Sequence, residues 1–70
     1  MASFTAILQK EGELFIAKCP EVGTVSQGKT VEEAITNLKE ATELHLEEFP
    51  KKRYPRALVT TFEVRERANT

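Results

Sequence analysis

The sequence has no aspartate, one cysteine and one histidine among its 70 residues. A lone Cys19 cannot form an intrachain disulfide, and one Cys with one His makes a poor metal cage. No metal or cofactor is therefore expected. Two-metal phosphoryl chemistry draws on acidic side chains gathered at one point. Without Asp that task falls to Glu alone, and Glu13, Glu21 and Glu63 fall at strand ends or in different strands. No apolar run approaches the ~18 residues that span a bilayer. Residues 1–8 carry neither the basic nor the long apolar stretch of a secretory signal. The formal net charge is −1, with charged residues of both signs at 30%. Such a balance supplies no field of one sign to draw the chain onto nucleic acid or a membrane. An unpaired cysteine suits a reducing cytoplasm, the expected location.

What is present reads as a short series of elements. Residues 3–9 alternate by twos, with Phe4, Ala6 and Leu8 on one face and Thr5, Ile7 and Gln9 on the other. Residues 10–13 hold Gly12 and read as a turn, and residues 14–18 as a second, centrally placed strand. Pro20 ends that strand, because proline cannot donate to a ladder. A weaker third strand is expected over 22–27, at an edge. Thr30, followed three residues later by Glu33, is a capping box. It opens a helix from about Val31 to about Glu48, stopped by Pro50. Its apolar stripe comprises Val31, Ala34, Ile35, Leu38, Ala41, Thr42, His45, Leu46 and Phe49. The β-branched run 57–64 reads as a fourth strand, with Leu58, Thr60, Phe62 and Val64 sharing a face, and 65–70 as a polar tail.

The expected architecture is α+β, in the order β-β-β-α-β. One helix covers one face of a four-stranded sheet, in a single domain spanning 1–70 with its core over about 3–64. The uncovered face is expected to carry Ile7, Val59 or Phe15, depending on register, and a half-apolar open face commonly becomes an interface. A chain of this size buries only about 60% of its unfolded surface. Small folds add a staple, and with disulfide and metal set aside a homo-oligomer is expected.

No catalytic residue is expected. His45 lies on the apolar stripe and Cys19 at a strand end, where packing accounts for both. Two surfaces remain as candidates. Glu40, Glu43 and Glu47 line an acidic helix face beside the off-stripe Leu44, and with Tyr54 they form a candidate protein-binding surface, its charge steering a basic partner. Lys51, Lys52, Arg53 and Arg56, with Tyr54 among them, are candidate contacts for RNA through phosphate pairing and stacking. The alternative expectation resting on that basic segment is an oligomeric RNA-binding protein.

Three stretches in this order and spacing resemble the HicB-like antitoxin family: residues 13–21 ending in Cys-Pro-Glu, residues 26–34 reading Ser-Gln-Gly-Lys-Thr-Val-Glu-Glu-Ala, and residues 37–41 reading Asn-Leu-Lys-Glu-Ala. The resemblance covers roughly residues 4–50. It implies a partial ribonuclease-H-like β-β-β-α-β unit, in agreement with the order read from the residues. It also implies a non-enzymatic, protein-binding role, in which the domain occludes HicA, a small basic toxin that cleaves messenger RNA. Longer members carry a C-terminal segment that binds operator DNA. Nothing after Val64 here can form one, so operator binding by this chain alone is not expected.

Overall fold

The computed structural model describes residues 2–50 and 53–66. Three strands and a helix follow in order: β1 Ile7–Glu11, β2 Leu14–Cys19, β3 Thr24–Gly28 and α1 Val31–Glu48. The strands form an antiparallel meander, β1-β2-β3, and α1 packs against β3 and β2.

The first strand is displaced from its expected place. Only Gly12 and Glu13 separate β1 from β2, with Glu11 opposite Leu14. Gly12 has φ +61, and no non-glycine among the described residues has positive φ. This is the pattern of a type II′ turn, whose twist matches the flanking strands. Lys10 and Glu11 therefore belong to the ladder rather than to the turn. At the other end the ladder begins only at Ile7, because Thr5 bonds elsewhere: its N–H and hydroxyl donate to the two carboxylate oxygens of Glu21 at 2.9 and 2.6 Å. The third strand also starts later than expected, at Thr24. The Gly23 N–H closes the preceding loop by donating to the Cys19 carbonyl at 2.7 Å.

The helix begins as its capping residues dictate. The Glu33 N–H donates to the Thr30 hydroxyl at 3.0 Å, while the Glu33 carboxylate accepts from the Lys29 N–H at 2.8 Å. The reciprocal bond thus reaches one residue beyond the cap. At the far end the Phe49 N–H donates to the His45 carbonyl at 2.8 Å, and Pro50 ends the run.

Register fixes which side chains meet the helix. Leu8 lies opposite Ala17 and Lys10 opposite Phe15; Ala17 faces Ser26 and Cys19 faces Thr24 on the other side. The buried centre consists of Ala17, Cys19, Ala34 and Leu38, with Phe4, Leu8, Phe15 and Val22 packed around it. Phe15 therefore belongs to the helix side, not to the open face. The open face carries Ile7, Leu14, Ile16 and Val25 among polar neighbours, as the alternation requires. On α1 only Ala34, Leu38 and Thr42 are buried. Val31, Ile35 and Phe49, expected on the core stripe, are exposed. A three-stranded sheet is too narrow to cover the whole stripe.

The fourth strand expected over 57–64 is not part of this sheet. The described residues 53–66 contain no helix or strand, and Leu58 and Phe62 are 92% and 85% exposed. A strand exists only by pairing, and this segment lies against no edge of its own chain.

Helix and sheet meet where side chains are nearly absent. A Cβ on Gly28 would stand 2.5 Å from the Ala34 amide nitrogen and 2.8 Å from the Glu33 carbonyl carbon. Both are backbone atoms of the first helical turn and cannot swing aside. Gly28→Ala is expected to lower stability by about 1–3 kcal/mol, the usual cost of overpacking, read as an earlier midpoint in urea unfolding.

Candidate functional site

A groove of about 530 Å³ runs between the N-terminal segment and the helix. Phe4, Ala6 and Cys19 form its sheet side; Ile35, Leu38, Thr42 and Leu46 form its helix side; Lys39 and Glu43 stand along the helix rim. The groove follows from the narrow sheet: α1 lies over β3 and β2, so the half of its stripe toward β1 is only loosely backed, by Phe4 and Ala6. Across the sheet–helix seam, the Thr24 and Thr42 hydroxyls share a 2.7 Å hydrogen bond. The Asn37 side-chain amide donates to the Gln27 carbonyl at 2.8 Å. Both contacts fasten the helix to β3.

A second hollow lies on the other side of residues 3–5, bounded by Glu21, Tyr54, Arg56 and Ala57. The Tyr54 ring meets Phe4 edge-on, with centroids 5.5 Å apart and planes at 79°. The N-terminal segment is thus held on one side by Tyr54 and anchored by Glu21. The Glu21 carboxyl is held down to about 2 from an ordinary 4.5. The Thr5 hydroxyl is the main cause, followed by the Thr5 N–H. Burial opposes the shift, and smaller contributions come from the backbone of Glu21 and from the Cys19 thiol, which lies 3.5 Å from Oε1.

The structure divides the expected partner-binding residues. Glu43 stands at the groove's rim, and Glu40, Leu44 and Glu47 are exposed on the same helix, with Leu44 63% exposed. Tyr54 lies apart from them, against Phe4. Of the basic candidates, Arg53 and Arg56 are exposed, and Lys51 and Lys52 fall outside the described residues. His45 is half-buried, its ring 5.2 Å from that of Phe49, and Cys19 is buried with a free thiol. Among the described residues, no three His, Cys, Asp or Glu side chains gather in a way that could hold a metal ion. No helix among them is long and apolar enough to cross a membrane.

Two features of the site have little or no local signal in the sequence. The Thr5–Glu21 bond joins residues sixteen positions apart, with no local pattern to announce it. The groove was half legible: Phe4 and Ala6 share a face with Leu8, but its depth depends on how far the helix sits from β1.

The fold and site define a small α+β unit with an open apolar groove under an acidic helix. Among curated proteins, a UPF0150 protein of Helicobacter pylori (strain J99 / ATCC 700824) is 48% identical over 42 residues, or 59% of this chain. The match covers 58% of that relative, less than two thirds of its length. No family model and no solved structure matches the chain.

The Glu21 anchor gives a pH prediction. Its carboxyl titrates lower in the folded chain than in the unfolded one, so its contribution to stability is complete above pH 4.5 and is lost as pH falls through about 2. Glu21→Gln is expected to be less stable than the native chain at neutral pH, and the difference should close across that window. Urea midpoints at several pH values, with the Thr5 amide shift as a local probe, measure it.

Proposed function

We propose that the chain is a HicB-like protein-binding module, an antitoxin or antitoxin relative, which occludes a small basic RNA-cleaving toxin of the HicA kind without chemistry of its own. The observation that carries this reading is the groove beside the acidic helix. It offers Glu43 beside Lys39 at the groove's rim, and Glu40 and Glu47 exposed on the same helix with Leu44. An apolar centre with a charged margin is how protein interfaces are built, and like-signed carboxylates speed the approach of a basic partner. The motif resemblance of residues 13–41 supports it, as does the partial match to a UPF0150 protein, a name used for HicB-like proteins.

The four-stranded form implied by the resemblance is proposed as the working state, with 57–64 completing the sheet in a homo-oligomer. The reading sets the protein in the cytoplasm, where messenger RNA is available and Cys19 stays reduced. Operator DNA is not a proposed ligand of this chain alone.

Co-expression with the product of an adjacent short reading frame encoding a basic ribonuclease tests the function. The expected result is a co-purifying complex and relief of growth arrest. Reversing Glu40, Glu43 and Glu47 to Lys should weaken the complex about 10- to 100-fold and flatten its salt dependence. No complex, together with salt-dependent RNA binding lost when Lys51, Lys52 and Arg53 become Ala, would replace this reading with the RNA-binding one.

A further inference from the structure

We propose that two copies of this chain exchange residues 57–64, each laying the segment along the β1 edge of the other. The proposal deepens the four-stranded homo-oligomer described above; the exchanged strand would fill the sheet side of the groove and leave Glu40, Glu43, Leu44 and Glu47 of the helix exposed to a partner. It commits to a second copy as the occupant, because the chain carries both a donor and an acceptor that it does not join to each other.

The donor is a strand in everything but pairing. Leu58, Thr60, Phe62 and Val64 alternate with Val59, Thr61 and Glu63, rich in the β-branched and aromatic residues that suit a pleated surface. All seven side chains are exposed. Leu58, Val59, Phe62 and Val64 are 92%, 68%, 85% and 70% exposed, an arrangement that water does not favour for four large apolar groups. The chain as a whole is also more extended than a compact one. The radius of gyration is 14.8 Å and the long axis 49 Å, against 27 and 18 Å for the others, whereas a compact chain of this length has a radius near ~11 Å.

The acceptor is β1. A three-stranded meander has two edges; at the β3 edge the Asn37 amide caps the Gln27 carbonyl while α1 packs against the strand. The β1 edge has no such cover. Glu11 and Leu14 close a two-residue turn and so form a hydrogen-bonded pair. The alternation of an antiparallel ladder then turns the N–H and C=O of Leu8 and Lys10 outward. Alongside that edge lies the groove, whose Phe4, Ala6, Ile35 and Leu46 would receive one apolar face of the incoming strand.

The exit point makes the exchange mutual. Tyr54 packs on Phe4, so the donor leaves the body beside the segment that leads into β1. Two copies facing each other there would each present a departing strand to the other's open edge. Such a contact is isologous and closes at two.

The test uses the full chain of 7.9 kDa in sedimentation equilibrium, with two variants. Leu58→Asp with Phe62→Asp spoils the donor, outside the one-chain core. Lys10→Pro removes an outward edge N–H while leaving the β1–β2 pairs, with circular dichroism to check that the fold persists. The native chain is expected to sediment as a dimer. The donor variant should dissociate at least 100-fold more readily, and mixing it with the edge variant should recover at least tenfold, since each retains what the other lacks. Isotope-filtered NOEs in a mixed-label dimer should join 57–64 of one chain to 7–11 of the other. A dimer that survives the donor variant overturns the proposal. So does a native monomer: NOEs from 57–64 to its own β1 would then retain the four-stranded reading, and an unpaired segment would end that reading too. Failure to capture a toxin bears on neither result.

Discussion

The close approach of α1 to the sheet is the constraint on which the rest depends. Gly28 leaves room for the backbone of Glu33 and Ala34, and Ala17 and Ala34 meet with no exposed surface. Short side chains allow a tight seam, and a tight seam encloses little. The fully enclosed centre holds two alanines, a cysteine and one leucine, a small apolar reserve for a domain of this length. Seam bonds such as Thr24–Thr42 fix the helix over β3 and leave β1 less covered. The groove and the exposed Ile35 follow from that lateral placement.

The N-terminal segment shows how a short chain holds a piece of backbone without a ladder. Thr5 gives both its donors to Glu21, and Phe4 lies against Tyr54 on one side while lining the groove on the other. Residues 3–6 are therefore a wall shared by two hollows. Their position depends on a carboxylate that stays ionised far below its ordinary range.

Local signals are plain in the sequence. Thr30 and Glu33 marked the helix start, Pro50 its end, and Gly12 the hairpin, because capping and turn geometry depend on neighbours within a few positions. The structure departs from the local pattern where distant residues decide. Thr5 leaves the ladder for Glu21, so β1 starts late. Phe15 turns inward because the two-residue turn sets the register. The stripe of α1 was read at full width, yet only the part above β3 and β2 is covered. The alternation over 57–64 was plain, but alternation specifies a strand and not its neighbour. The acidic helix face was legible as charge alone, and only the groove beside Glu43 gives it an apolar floor.

The central claim is that apolar surface left outside this thin core finds its sheet on a second chain. Amide hydrogen exchange at residues 57–64 across a dilution series tests it most directly. Protection that is strong in concentrated solution and fades on dilution, while the β2 amides stay protected, is the predicted result. Exchange at 57–64 that is equally fast at every concentration contradicts it.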